Sequence, residues 1–425
     1  MQNGFPQNFN RPPFIDPSFK NGQDILYRPL DGNRRPYSQQ WNLTVERELP
    51  QNVFASVAYV GNKGTRLPSN LQPLNVLNPF DSKIQGLGSR LLETFAPGET
   101  VKFAGTPNEV RIPYAGWTEQ LTSCTPSVAQ ALLPYPQYCS QLQGLNESIG
   151  NSTYHSFQAK AEKRFSRGIF MLVSYTLSKL ITDGADSVQR DASTWNASQG
   201  GISPFERRKA RSLAPDDVPQ TLSAAFVYEL PFGKGKRWLN GGFGSRLLGG
   251  WQMSTVYRYS RGIPFFFRSS QCNLPSQFRQ SCWVAIKEGA DPFLQNVNDF
   301  DPGRGPLFDI NAFEPLESFT QFGYTGNGAR ISNVRGPNFQ NTDISFIKNT
   351  RFRERLNFQF RAEFFNAFNM HRFVNAGGFT IGGGCLTIPT SPARTLDAGR
   401  AASPIPERFS SALGLNFSAA TFESS

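Results

Sequence analysis

The sequence predicts an all-β chain: a transmembrane antiparallel β-barrel, present in part as about nine strands, with long extracellular loops. Three observations predict it. Apolar and polar residues alternate over segments about as long as a tilted membrane-crossing strand, roughly 9–11 residues. Short and long connections between those segments alternate without exception. No apolar run approaches the roughly 18 residues of a membrane helix. The clearest segment is Leu356 to Asn366, where Leu356, Phe358, Phe360, Ala362 and Phe364 alternate with Asn357, Gln359, Arg361 and Glu363. An arginine and a glutamate on its wet face suit a water-filled lumen.

The remaining segments repeat this grammar. Gln39 to Glu48 sets Trp41, Leu43 and Val45 against Gln40, Asn42, Thr44 and Glu46. Val53 to Gly61 carries Val53, Ala55, Val57 and Tyr59 on one face. Tyr154 to Phe165 sets Phe157, Ala159 and Ala161 against Ser156, Gln158, Lys160 and Glu162. Ile169 to Ser178 and Gln220 to Leu230 follow, with Met171, Val173 and Tyr175, then Leu222, Ala224 and Phe226, on their apolar parities. Trp251 to Arg261 places Trp251, Met253, Tyr257 and Tyr259 opposite Gln252, Ser254, Arg258 and Ser260. Thr342 to Asn349 precedes Leu356 to Asn366, and Phe409 to Phe417 closes the series.

The connections around 49–52, 166–168 and 350–355 are short, and 231–250 is longer but glycine-rich. Between them lie 62–153, 179–219, 262–341 and 367–408, expected as structureless loops. Bacterial barrels have short periplasmic turns and long extracellular loops, a pattern a soluble sandwich has no reason to follow. On that topology, 1–37 is the tail of an extracellular loop, 38–417 is barrel and 418–425 is a C-terminal tail. Nine is an odd count, whereas single-chain bacterial barrels have even counts, and lipid tolerates no open sheet edge. At least one further strand upstream is therefore expected. Met1 to Pro6 has neither the basic nor the apolar region of a signal peptide, so the start of the exported protein is expected further upstream.

Composition agrees with this class. Hydrophobic residues make up 38% and the mean hydropathy is −0.40, because a spanning strand shows only alternate residues to lipid. The 38 Phe, 12 Tyr and 6 Trp suit strands and interfacial girdles. The formal charge of +11 raises nucleic-acid binding as a possibility. The basic residues are dispersed over turns and loops, however, so no nucleic-acid partner is expected. The densest cluster, Glu206 to Arg211, reads as a solvated loop or a contact with anionic lipopolysaccharide.

All five cysteines fall between the expected strands. Cys124 and Cys139 share one long loop and Cys272 and Cys282 another, a placement that fits disulfides within loops of an oxidising compartment, with free thiols as the alternative. Cys385 is left over. No C-x-x-C occurs, and His155 and His371 are the only histidines, expected at strand ends or in loops, so no zinc site is expected. Gly233 to Arg237 lacks the phosphate-loop spacing and reads as a basic turn. No G-x-S-x-G elbow is present, and two histidines leave little scope for a catalytic triad. Asp183 with Asp186, and Asp299 with Asp301, lack the calcium-loop pattern and read as turn formers. No catalytic residue, cofactor or metal is expected, and the chain is not expected to be an enzyme.

Several strings resemble recurrent strands of TonB-dependent, Oar-like outer-membrane proteins, whose members often carry a carboxypeptidase-regulatory-like domain. They are Arg35 to Leu43, Ala58 to Gly64, Asn151 to Gln158, Glu162 to Phe165, Ser174 to Lys179, Tyr228 to Gly233, Gly249 to Gln252 and, most clearly, Phe360 to Asn369. In order they cover 35 to 369. The resemblance implies the C-terminal portion of a larger receptor, with a signal sequence, a plug domain and a barrel of about 22 strands around a plugged lumen. The plug and the segment that contacts the TonB system are absent from this sequence, and Phe417 is followed by Ser418 to Ser425 where such barrels end on an aromatic residue.

The expected function is that of a TonB-dependent transporter or receptor in the outer membrane, taking up or exporting a large substrate. Gln158, Lys160, Glu162, Arg258, Gln359, Arg361 and Glu363 would line the lumen wall, mainly hydrating it and meeting the plug. Substrate recognition would come from 62–153 and 262–341. Expected partners are outer-membrane lipid, lipopolysaccharide, the plug and, through the region preceding this sequence, the TonB system. The alternative is a surface adhesion or structural barrel without transport. A third reading, a soluble secreted β-sandwich enzyme, needs polar outer strand faces; the Leu356 to Phe364 apolar parity is long for that, although a two-layer sandwich could bury it.

Overall fold

The computed structural model describes residues 25–27, 34–69, 74–140, 142–144, 147–184, 203–352, 356–370, 378–382, 385–387 and 413–418. Nine long strands form one antiparallel meander. They are β1 (Tyr37–Leu49), β2 (Val53–Ser69), β3 (Glu147–Ser166), β4 (Ile169–Thr182) and β5 (Gln220–Glu229). The series continues with β6 (Trp251–Ser260), β7 (Phe339–Phe352), β8 (Leu356–Phe364) and β9 (Leu413–Ser418). Each strand pairs with the next in sequence. Among the described residues β1 and β9 lie at opposite ends of the ladder and do not pair with each other.

All nine expected strands are present, and the main difference in their limits has a clear cause. β2 and β3 extend outward to Ser69 and Glu147, so the first long loop spans 70–146 rather than 62–153. Alternation in the sequence stops at Gly61-Asn62-Lys63-Gly64, but backbone pairing continues through register shifts between Thr65 and Leu67 and between Leu67 and Pro68. A bulge admits proline, which cannot donate to a regular ladder. The start expected for β9 at Phe409, the tail 1–24, His371, Asp186 and 419–425 lie outside the described residues.

The tight turns follow from local backbone chemistry. Gln51 and Asn52 have φ of 66° and 59°, and Arg167 and Gly168 have 52° and 81°. Two successive left-handed residues give a turn whose twist matches that of the flanking strands. Lys163 Nζ donates to Gln51 O at 2.7 Å, tying the first turn to the next hairpin.

Register keeps the parities aligned across the sheet. Leu43 lies opposite Tyr59, Tyr59 opposite Phe157 and Phe157 opposite Leu177. Further along, Met171, Phe226, Thr255, Ile344, Phe364 and Leu413 form another continuous row. The exposed large apolar side chains in this row system include Leu43 at 68%, Val45 at 60%, Phe358 at 54% and Phe157 at 47%. All such side chains on the aligned strands share this parity, which marks the lipid face. Each would forgo about 1.5–3 kcal/mol if left in water.

The apolar core lies elsewhere, in the long connections. Expected to be structureless, the first and third are folded over their described residues. Residues 74–140 contain α1 (Ser82–Leu87), α2 (Trp117–Gln120) and α3 (Val128–Ala131). Asp81 caps α1 by accepting from Lys83 N and Ile84 N, and Ser127 caps α3 by accepting from Gln130 N. Trp117, Leu91 and Val128 centre a buried cluster that takes in Phe278 from the third long loop. Phe265, Phe267, Phe308, Phe313 and Phe319 build a second cluster within 261–338. The alternation rule misses these clusters because their side chains meet across distant loops.

The third loop leaves β6 through Gly262. A Cβ there would sit 1.9 Å from Gly336 O and 2.7 Å from Pro337 O. Gly262→Ala is expected to force the two arms of the loop apart and destabilise it by about 1–3 kcal/mol. Urea titration followed by near-UV circular dichroism should show this loss, and none for Gly244→Ala, whose Cβ meets only Leu239 Cδ2 at 3.7 Å.

Candidate functional site

Two surfaces can do chemistry: the polar face of the sheet and the folded cap. All seven residues expected on the lumen wall fall on the polar parity. On β3, Lys160 pairs with Glu162 at 3.0 Å, and Gln158 Nε2 donates to Ser156 Oγ at 3.3 Å. On β8, Arg361 pairs with Glu363 at 3.5 Å, and Gln359 Nε2 donates to Asn349 Oδ1 at 3.0 Å. Arg258 on β6 is exposed, with Ser223 and Asn341 as its register neighbours. β3 and β8 are five strand steps apart, roughly 24 Å at about 4.8 Å per step. The structure therefore spreads these residues along a wall and does not gather them into one constellation. Exposed pairs of this kind contribute about 0–1 kcal/mol each, so their main effect is to hydrate and charge the wall.

Charge separates by face. Glu46, Glu48, Glu162, Glu229, Asp343 and Glu363 all lie on the polar parity of the aligned strands. The lipid parity carries Arg47, Lys63, Lys163, Lys179 and Lys348; in the regularly paired parts of the described strands no carboxylate falls on it, and Glu147 at the outer end of β3 lies beyond the register shifts. Cations near the ends of membrane strands can reach headgroup phosphates, whereas carboxylates there would meet like charge.

His155 was expected at a strand end or in a loop, but it lies inside β3 on the lipid parity. Its ring stacks on Tyr59 at 6.0 Å, with Tyr59 Oη 2.8 Å from Nδ1, and meets Trp41 edge-on at 6.4 Å. The Trp41 indole covers Gly61, where a Cβ would lie 2.3 Å from the ring. A glycine opposite the tryptophan makes room for this aromatic cluster.

The cap is held by covalent and polar ties. Cys124 is bonded to Cys139 and Cys272 to Cys282, with Cα separations of 5.4 and 5.6 Å. Cys385, expected outside any strand, opens the short strand Cys385–Thr387. Gln130 Nε2 donates to Pro136 O and Tyr138 O, both at 2.9 Å, while its Oε1 accepts from Gln277 Nε2 at 3.0 Å. This residue joins the first long loop to the third. Buried Asp217 pairs with Arg335, whose Nη1 also donates to Asp217 O at 2.7 Å. Asp217 Oδ1 accepts from Leu180 N at 2.6 Å, so one carboxylate fastens the second and third loops to the end of β4.

Within the third loop, Glu314 accepts from Ala285 N at 2.7 Å and from the Tyr324 hydroxyl at 2.6 Å. That hydrogen bond, helped by burial, pushes the Tyr324 phenol up to about 12. Sequence reasoning overlooked Gln130, Asp217, Glu314 and Arg335, because nothing in their local pattern distinguishes them from solvated polar residues. The basic cluster forms the 3₁₀ turn Pro204–Ala210, where Lys209 pairs with Glu206. Asp301 caps the turn Pro302–Arg304, and Arg304 lies 3.4 Å from it. Among the described residues, no group of three or more His, Cys, Asp or Glu is placed to hold a metal ion.

Residues 1–396 match the family described as outer membrane beta barrel domain. The chain belongs to this family. It is a β-barrel segment of the cell outer membrane. No curated protein matches it. Among solved structures, the outer membrane transporter YddB from Escherichia coli is similar at 9% identity and a TM-score of 0.36, over 84% of this chain and 32% of that one. The chain thus spans about a third of that transporter's length. Membership rests on the family match.

Three outcomes follow for the cap. Arg335→Ala strands a buried carboxylate and should cost about 3–5 kcal/mol, read as a lower denaturation midpoint. Replacing Cys124 and Cys139 by serine removes a 15-residue cross-link and should cost about 3 kcal/mol, with faster proteolytic cutting in 74–140. The folded-state pKa of Tyr324 lies above its unfolded value. Its contribution is therefore complete below about pH 10 and lost as pH rises to about 12, and Tyr324→Phe should remove that step from an alkaline unfolding profile.

Proposed function

We propose that the chain is the C-terminal wall and surface cap of a TonB-dependent transporter or receptor of the Oar-like type. The observation that carries the proposal is an antiparallel meander whose end strands do not pair with each other among the described residues, with one apolar and one charged face and folded long connections. A sheet edge facing hydrocarbon leaves backbone groups unsatisfied at several kcal/mol each. Among the described residues β1 and β9 do not pair with each other, and a transporter barrel of about 22 strands would give both edges neighbours. Its wide lumen needs a plug, and the mixed charges on β3, β6 and β8 provide polar partners for one. The short turns would face the periplasm and the cap the exterior. Substrate recognition would fall to the first and third long loops, which Gln130 and Gln277 hold together.

The folded cap also supports a second reading, a surface adhesion barrel that anchors a binding head. One experiment separates the two. The complete reading frame around this segment is expressed in cells with and without a working TonB system, and uptake of candidate large solutes is followed. The transporter reading expects upstream plug and strand segments in frame, with uptake lost when TonB is removed. A frame without a plug, or solute binding unaffected by TonB, would sink it and leave the adhesion barrel.

A further inference from the structure

The connection between β5 and β6, residues 230–250, differs from the tight turns that share its rim. Trp238 is 52% exposed, Leu239 45%, Leu248 47% and Phe243 79%, the last being the most exposed large apolar side chain among the described residues. Phe243 and Leu248 belong to the helix Gly242–Leu248. Between Pro231 and Gly250 the chain has no carboxylate but carries Lys234, Lys236, Arg237 and Arg246. Lys236 is held by Glu229 at 2.6 Å, while Lys234 and Arg237 are exposed.

The segment is built, not loose. Trp238 N donates to Pro231 O at 3.1 Å and Gly235 N to Asn240 Oδ1 at 2.7 Å. A Cβ on Gly233 would lie 2.7 Å from Gly249 Cα, so the two arms cross where only glycine fits. The Trp238 ring is 5.8 Å from Phe232 and lies under the Arg237 guanidinium at 5.8 Å. The segment then runs directly into Trp251 on the lipid parity, where Lys348 Nζ sits 5.5 Å from the indole centroid and Phe360 meets it edge-on at 6.0 Å. The exposed apolar residues thus lie on a segment that leads directly into the lipid parity at Trp251.

We propose that residues 231–250 form an interfacial anchor lying in the headgroup layer of the periplasmic leaflet. Trp238, Leu239, Phe243 and Leu248 enter the boundary with the acyl chains, and Lys234 and Arg237 bind the phosphates of anionic phospholipids. An in-plane segment with an apolar side, cations and no acids has the composition of such anchors. The inference rests on the membrane placement of the sheet with its short turns at one rim.

The test uses the full-length protein purified from outer membranes and returned to vesicles of phosphatidylcholine with or without phosphatidylglycerol. In a Cys385→Ser background, Phe243→Cys carries a fluorescent label, and Phe157→Cys carries the same label at a mid-strand lipid-face position. With phosphatidylglycerol present, the label at 243 should be quenched about threefold more by a headgroup nitroxide lipid than by iodide. Lys234→Glu with Arg237→Glu should abolish that preference. An iodide-open 243 beside a lipid-shielded 157 overturns the anchor and leaves the barrel intact. Equal shielding in both lipids, unchanged by the double charge reversal, overturns the phosphate contact. An iodide-open 157 overturns the anchor together with the placement it rests on.

Discussion

In hydrocarbon, a backbone N–H or C=O finds no water, so each strand must satisfy its neighbour along its whole length. This constraint organises the chain. It explains why successive strands pair in sequence order from β1 to β9 and why proline enters β2 only where the register shifts. It also makes register a strong determinant. A slip of one residue would turn Leu43, Tyr59 and Phe157 toward water and Glu46, Lys160 and Glu162 toward lipid. The tight turns at Gln51-Asn52 and Arg167-Gly168 protect that register by leaving no slack between strands.

The sheet divides labour with its connections. The sheet is a single layer, and β1 is exposed at every position as the end strand of the ladder, with no neighbour on its outer side among the described residues. Burial of the kind that folds a soluble domain is found in the cap, around Trp117 and around Phe267 and Phe313. Two disulfides and the Asp217–Arg335 pair then fasten that cap.

The lipid face shows how one sheet serves two solvents. In the regularly paired parts of the described strands its charged residues are cations, and the acids lie on the other parity. Near a phosphate layer, lysine and arginine extend their apolar stems along the sheet and place their charge among the headgroups. Trp41, Tyr59 and His155 form an aromatic cluster on the same face, with the indole seated over Gly61.

By itself the sequence determined the strands, their order and the two parities, with the residues from Gln158 to Glu363 on the polar one. A period of two is a local property, and lipid and water sort side chains one residue at a time. It also determined which cysteines share a loop. Only the tertiary structure decided that the first and third long loops fold, that Gln130 meets Gln277, and that Asp217 anchors Arg335. Gln130 and Gln277 lie far apart in the chain, and so do Asp217 and Arg335. Polar residues at such separations carry no periodic signal until the backbone brings them together and burial makes their pairing compulsory.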